Sequence, residues 1–134
     1  MIELVDRVFL DKAEENLAAA RSELISGRYN GSASRAYYAC FQVAVFALAQ
    51  AGIRPRGASG QWGHDFVQAA LNGQLINQRK LYSTTLRPIL DQNRSLRRIA
   101  DYTVDHVTEL RADRAASRAE RFVNGIKAGG GGRT

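Results

Sequence analysis

The sequence is poor in the features that mark secreted and membrane proteins. Its 134 residues include a single cysteine, Cys40, so no disulfide can form within the chain. No apolar run approaches the roughly 20 residues that a bilayer-spanning helix needs. The first residues, MIELVDRVFLDKAEEN, carry acids where a signal peptide carries bases, so we expect no secretion signal. These absences predict a cytoplasmic protein with no membrane partner and with a buried, unreactive thiol at Cys40.

Proline is also scarce, and alternating apolar and polar residues of the strand type are missing. The two prolines, Pro55 and Pro88, are the residues that would interrupt helices most sharply. Elsewhere apolar residues recur every three or four positions, which is typical of helices with one buried face. We therefore predict an all-α fold, an antiparallel bundle of four long helices and a short one. The bundle should form one domain over residues 1–127, followed by a flexible Gly-rich tail over residues 128–134.

Caps, glycines and periodicity set the predicted helix boundaries. The five helices are expected to cover residues 6–25, 32–51, 64–72, 78–102 and 104–127. Gly27 should stop the first helix, Ser32 or Ser34 should cap the second, and Pro88 should kink or break the fourth. The second helix is almost wholly apolar from residue 36 to residue 51. Such a helix must be covered on nearly every side, either by other helices or by a second subunit.

Motifs for the common cofactor and nucleophile sites are missing as well. The sequence has no Walker-type phosphate loop, no dinucleotide-binding glycine fingerprint and no serine elbow. Its two histidines, His64 and His106, are not accompanied by acids or cysteines at metal-ligand spacing. His64 stands near a predicted helix start, where a capping or packing role is expected. We therefore expect neither a cofactor nor a metal ion.

Basic residues outnumber acidic ones by 19 to 13, which gives a formal net charge of +6. Between residues 79 and 98 there are six bases and one acid, Asp91, so this stretch carries most of the excess. A positive stretch favours the approach of polyanions such as RNA. A solvated helix face has the same composition, and both interpretations stay open at this point.

The first cluster of candidate residues lies at the start of the apolar second helix. Arg35 enters this helix with few polar neighbours, so it must pair with an acid or open onto a groove. Tyr37 and Tyr38 follow it directly. Their rings are expected to be buried and their hydroxyls to lie near polar groups.

The second cluster lies at the end of the fourth predicted helix. Its members are charged or aromatic, and most of them share one side of a helix: Arg94, Arg97, Arg98, Asp101, Tyr102, Asp105 and His106. Arg97 precedes Asp101 by four residues, which is the less favourable order for a helical ion pair. This order favours a tertiary role, such as a bridge to Arg35 across the bundle. Arginines also match phosphate oxygens, and His106 is a candidate general base.

These residues resemble the motifs of one known family. The run from Gly27 to Tyr29, with the run from Ala33 to Phe41, is similar to the second-helix signature of HEPN domains. The run Arg97-Arg98-Ile99-Ala100-Asp101-Tyr102 resembles the Arg-x-x-Ala-Asp-Tyr motif of one bacterial branch of that superfamily. The resemblance covers residues 6–126, nearly the whole chain. It implies a bundle of four to five helices that commonly dimerises.

The resemblance also implies a role in prokaryotic RNA or nucleotide biology. Many HEPN proteins are metal-independent ribonucleases in which an arginine and a histidine, with four to six residues between them, meet at a dimer interface. Others pair with a small nucleotidyltransferase as toxin–antitoxin partners, and some act as scaffolds or bind ligands. By this resemblance Arg97, Arg98 and His106 are the candidate catalytic residues. The candidate motif or ligand-binding residues are Arg35, Tyr37, Tyr38, Arg94, Asp101 and Tyr102.

The sequence departs from the ribonuclease motif in one respect. Seven residues separate Arg98 from His106, and on a continuous helix the two would point about 80° apart. We favour a HEPN component of a defence or toxin–antitoxin-like system that acts with RNA or with a nucleotidyltransferase. The first alternative is a metal-independent ribonuclease that works as a homodimer. The second is a non-enzymatic helical module that binds a ligand or a partner protein.

Overall fold

Five α-helices account for most of the chain, and the predicted all-α fold is confirmed. The computed structural model describes residues 4–56 and 60–131. The helices are α1 (Leu4–Ile25), α2 (Tyr29–Gln50), α3 (His64–Ala70), α4 (Ile89–Tyr102) and α5 (Glu109–Gly131). A π-helical segment, Leu71–Gln78, continues α3, and a 3₁₀ turn, Thr84–Leu86, precedes α4. The described ranges contain no strand, and none of their helices is both long and apolar enough to cross a membrane.

Helix α2 lies at the centre of the bundle because nearly all of its side chains are apolar. Helices α1, α4 and α5 pack around it, and every residue from Val43 to Ala49 is buried. The predicted burial of Cys40 is confirmed, and this burial raises the pKa of its thiol to about 12. The thiol is therefore protonated and unreactive at neutral pH. The apolar faces of α2 are covered by helices of the same chain.

Helix α2 begins at Tyr29, so the predicted start near Ser32 or Ser34 is wrong. Gly27, at φ +79°, ends α1 with the two backbone hydrogen bonds of a Schellman motif. The chain reverses within this motif and enters the next helix without a longer connection. Ser32 is buried and donates its hydroxyl to the Ala20 carbonyl oxygen at 2.8 Å. It therefore binds α2 to α1 and does not cap a helix.

The left-handed backbone at Gly27 predicts a stability effect. A residue with a Cβ adopts this conformation at a cost of about 1–2 kcal/mol, so Gly27→Ala should lower the free energy of unfolding by about 1 kcal/mol. Urea denaturation will measure the loss. Gly73→Ala is the matched control, because a Cβ at Gly73 meets nothing within 4 Å and its φ is not positive. Equal losses in the two variants would show that backbone conformation at Gly27 is not the cause.

Pro88 interrupts the helix predicted for residues 78–102, but the break is wider than a kink. Lys80 has a left-handed φ of +55°, which ends the preceding π-helical segment. Helix α4 begins only at Ile89, after the 3₁₀ turn. The prediction of helix over residues 79–88 is therefore wrong.

Helix α5 begins later than predicted. The Thr108 hydroxyl accepts a hydrogen bond from the Arg111 backbone N–H at 3.2 Å, which caps the start of the helix. Residues 103–108, which end in this cap, connect α4 to α5 without helical structure. The predicted helix over residues 104–108 is therefore wrong, and His106 lies on this connection.

Helix α5 also ends later than predicted, at Gly131 and not at Lys127. Gly129 supplies the physical reason, since a Cβ there would lie only 2.8 Å from the Leu81 carbonyl oxygen. The missing side chain lets this end of α5 pack against the turn that follows the π-helical segment. The last part of the predicted tail, residues 132–134, lies outside the described residues.

Candidate functional site

The second predicted cluster forms a site around Arg97, near the end of α4. The Nε of Arg97 lies 3.2 Å from Asp101 Oδ2, and its Nη2 donates to the Tyr102 hydroxyl at 2.8 Å. The Arg97 side chain is 18% exposed, whereas Tyr102 is 69% exposed. The guanidinium is therefore largely shielded from water, while one of its two partners faces solvent.

Three tyrosine rings surround the same guanidinium. The Cζ of Arg97 lies 5.4 Å from the ring centroid of Tyr37, 5.2 Å from that of Tyr38 and 5.0 Å from that of Tyr102. Each such cation–π contact contributes about 0.5–1 kcal/mol at an exposed site and about 2 kcal/mol when desolvated. Tyr37 is buried and Tyr38 is half-buried, so α2 supplies a fixed aromatic surface beneath the charge. We call these four residues and Asp101 the Arg97 cluster.

Arg35 does not complete the cluster. Its Nη1 donates to Asn16 Oδ1 of α1 at 3.2 Å, and Asp101 instead accepts a hydrogen bond from the Ser34 hydroxyl at 3.1 Å. One residue turns a helix by about 100°, which brings Ser34 toward α4 and Arg35 toward α1. The predicted bridge between Arg35 and the acid of the cluster is therefore wrong.

A groove of about 550 Å³ opens beside the cluster, and Arg35 lines it together with Tyr38 and Asp101. The remaining lining residues are small or polar: Ala19, Ser22, Glu23, Gly31 and Ser34. Its volume is in the range of small-ligand sites. The groove therefore brings a guanidinium, a phenol ring and two carboxylates to one concave surface.

Two further predicted residues of α4 lie outside the cluster. The Nη1 of Arg94 is 3.7 Å from Asp65 Oδ1, so it contacts α3 and not the groove. Arg98 is exposed. The α4 arginine that binds Asp101 and Tyr102 is Arg97.

His106 lies on the exposed connection between α4 and α5, where its Nδ1 is 3.2 Å from Asn30 Nδ2. His106 does not share a helix with the α4 arginines, so the angle predicted between Arg98 and His106 on one continuous helix does not apply. The depression beside His106 adjoins the groove beside the Arg97 cluster, because Glu23 and Gly31 line both. His106 and Asp101 therefore border two neighbouring depressions that share Glu23 and Gly31 as lining residues.

A histidine beneath the aromatic surface was not predicted as part of the site. The Nδ1 of His64 lies 2.9 Å from the Tyr37 hydroxyl, and its Nε2 lies 3.7 Å from Asp91 Oδ1. Burial lowers the pKa of His64, and the nearby Arg94 lowers it further, so the imidazole is neutral at pH 7. Burial also raises the pKa of Tyr37 to about 12, which keeps the phenol protonated. This neutral pair fixes the Tyr37 ring beneath Arg97.

The lowered pKa of His64 predicts a pH dependence of stability. A base whose folded-state pKa lies below its unfolded value of about 6.5 binds fewer protons when folded. Its contribution to stability is complete above that unfolded value and is lost as pH falls through it. Between about pH 7 and pH 5, the free energy of unfolding should fall less in His64→Asn than in the wild type. His106→Asn is the matched control at an exposed histidine, and the same decline in all three proteins would contradict the prediction.

The described part of the chain brings together no group of three His, Cys, Asp or Glu side chains that could hold a metal ion. The groups that the site does offer are guanidiniums, phenols, two carboxylates and an imidazole. Such groups bind anions and transfer protons.

Comparisons with known proteins agree with this fold. The family model for the HEPN domain matches residues 7–128. The chain is also 31% identical over 124 residues to Putative toxin MJ0605 of Methanocaldococcus jannaschii, a match that covers 90% of this chain and 85% of that protein. The chain therefore belongs to the HEPN domain family.

Proposed function

We propose that this chain is the toxin component of a prokaryotic defence or toxin–antitoxin-like pair, which acts with RNA or with a nucleotidyltransferase partner. The observation that carries this proposal is the Arg97 cluster, a guanidinium held on three tyrosine rings beside an open groove. The name of the similar protein, Putative toxin MJ0605, supports the same direction.

The cluster supplies a positive charge that is already in position for a phosphate group. Arg97 binds Asp101 through Nε and Tyr102 through Nη2, and the same fork of donors matches two phosphate oxygens. An incoming phosphate takes the place of the Asp101 carboxylate. Because Tyr37 and Tyr38 hold the guanidinium from below, little side-chain freedom is lost when the exchange occurs.

Growth of a bacterial host tests this proposal. Expression of the chain alone should arrest growth, and co-expression of a nucleotidyltransferase from a neighbouring gene should restore it. The amount of protein must be checked by immunoblot in both cultures. Normal growth with abundant folded protein would contradict the proposal.

The neighbouring depressions beside Asp101 and His106, which share Glu23 and Gly31, support a second function, metal-independent cleavage of RNA. In this mechanism Arg97 or Arg98 stabilises the charge on the phosphorane. His106 accepts the proton of the attacking ribose 2′-hydroxyl and returns it to the 5′-oxygen as the P–O5′ bond breaks, which leaves a 2′,3′-cyclic phosphate and a free 5′-hydroxyl.

Cleavage of RNA in EDTA tests the second function. Purified protein should cut the RNA, and His106→Ala should abolish cutting, whereas Lys12→Ala, at an exposed position on α1, should not affect it. Unchanged cleavage in His106→Ala removes His106 from the mechanism. No cleavage together with a stable complex with one partner protein would instead support a non-enzymatic interaction module.

Exposed apolar side chains at one end of the bundle support a homodimer. Ile25 is 86% exposed, Tyr102 69%, Val104 96% and Leu110 56%, and all lie where α1 and α4 end and α5 begins. Grouped apolar side chains of this kind mark association surfaces. We expect light scattering at micromolar concentration to show a dimer and Val104→Ser to weaken it. A strict monomer would contradict this expectation.

A further inference from the structure

Four arginines follow one line along α5, a helix that contributes nothing to the Arg97 cluster. They are Arg111, Arg114, Arg118 and Arg121, and we call them the arginine stripe. Spacings of three and four place them on one side of the helix, over a length of about 15 Å. Arg118 is half-buried, and the other three are exposed.

Among the described residues, no carboxylate neutralises the arginine stripe. The two acids of α5 within this stretch, Asp113 and Glu120, face α1, where Arg21 lies 3.9 Å and 2.9 Å from them. Within residues 4–56 and 60–131, no carboxylate oxygen lies within 4 Å of any guanidinium of the stripe. Four like charges without counter-charges favour a bound anion.

Arg118 is held in place from below by a buried amide. Asn93 of α4 is 0% exposed, its Oδ1 accepts the Arg118 Nε–H at 2.9 Å, and its Nδ2 donates to the Ala115 carbonyl oxygen at 3.2 Å. This bond occupies Nε and leaves the terminal nitrogens for another acceptor. Burial lowers the pKa of the Arg118 guanidinium, and the charges of Arg121 and Arg114 lower it further. An anion placed among these three side chains would relieve their repulsion.

We propose that the arginine stripe docks the phosphodiester backbone of RNA. A nucleic-acid strand carries one phosphate per nucleotide, so a row of guanidiniums about 15 Å long meets several successive phosphates. A protein partner would need an apolar centre in its interface, and no large exposed hydrophobic side chain lies between Arg111 and Arg121. The choice of RNA rests on the function proposed above. The stripe adds a second RNA contact, on a different helix from the Arg97 cluster.

Fluorescence anisotropy with two short single-stranded RNAs of unrelated sequence, at several salt concentrations, tests the stripe. The double variant Arg114→Gln/Arg121→Gln should bind both RNAs about tenfold more weakly, and its salt-dependence slope should be smaller by about 1.4. Arg7→Gln/Lys12→Gln is the matched control, because it also removes two positive charges, but from exposed positions on α1. Circular dichroism should show wild-type helix content in both.

The other outcomes separate the stripe from the proposed function. Unchanged RNA binding in the stripe variant, or equal weakening in the control, overturns the proposal. The proposal is also overturned if the stripe variant loses binding to anionic phospholipid vesicles while its RNA binding stays intact. If the stripe variant loses RNA binding but the wild-type chain does not arrest growth, the stripe stands and the proposed function fails. If the wild type arrests growth but the stripe variant binds RNA as well as the wild type does, the proposed function stands and the stripe fails.

Discussion

Arg97→Ala should abolish growth arrest and loosen the contact between α2 and α4. The substitution removes two hydrogen bonds and three cation–π contacts from one partly buried site. We expect the free energy of unfolding to fall by about 1–3 kcal/mol. Loss of a positioned donor that stabilises a developing charge typically lowers activity by about 100-fold or more. Growth of the expressing host and, where cleavage is found, the cleavage rate will measure this loss.

A matched control separates the function of Arg97 from the effect of losing a helical ion pair. Arg7 also precedes an acid by four residues, and its Nε lies 3.5 Å from Asp11 Oδ1, but both side chains are more than half exposed. Arg7→Ala should therefore keep full activity and nearly full stability. Arg97→Lys should regain part of the stability and none of the activity, because an ammonium lacks the planar fork. Full activity in Arg97→Ala would show that the cluster is only structural.

Asn93→Ala should cause the largest loss of stability, about 2–4 kcal/mol. The Asn93 amide binds Arg118 and the Ala115 carbonyl, and its Nδ2 lies 3.5 Å from the Cys40 Sγ. Alanine removes all three contacts and leaves a partly buried guanidinium without its acceptor. It also leaves a cavity at the junction of α2, α4 and α5.

Urea denaturation of Asn93→Ala will measure this effect. Ser95→Ala is the matched control, because Ser95 is exposed on the same helix and its hydroxyl binds only the Asp91 carbonyl of its own helix. The control should change stability by less than about 0.5 kcal/mol. A loss below about 1 kcal/mol in Asn93→Ala would show that the buried amide is not a major support of the bundle.

Most of the helices could be predicted because each carries a periodic apolar pattern of its own. Helix α2 could be predicted from its nearly unbroken apolar stretch, which is the part of the fold that the other helices cover. Helix ends were harder to predict, because hydroxyls that look like caps can bind elsewhere. Ser32 binds the Ala20 carbonyl, and the true cap of α5 is Thr108, which the periodic pattern did not single out.

The core of the site could be predicted where its residues belong to one helix. Arg97, Asp101 and Tyr102 stand four and five residues apart, so their contact follows from helix geometry. Contacts between helices could not be predicted, since no spacing rule connects their partners. His64 with Tyr37 is one such contact between α2 and α3.

Ser34, and not the predicted Arg35, contacts Asp101, which shows how small a rotation along a helix separates a predicted contact from the observed one. Both residues lie at the start of α2, and only the rotation of one residue along the helix decides which of them meets α4. The stripe on α5 could not be predicted for another reason. In the sequence Asp113 and Glu120 stand among its four arginines and offset half of their charge, and only the fold shows that these acids face Arg21.

The most direct test of the Arg97 cluster is to observe Arg97 itself while the whole chain binds its target. The ¹⁵Nε resonance of Arg97, assigned through its loss in Arg97→Lys, should shift or broaden when RNA or the nucleotidyltransferase partner is added, because the ligand replaces Asp101. The ring resonances of Tyr102 should shift with it. Saturating binding that leaves both sets of resonances unchanged would contradict the claim that the Arg97 cluster is the functional centre.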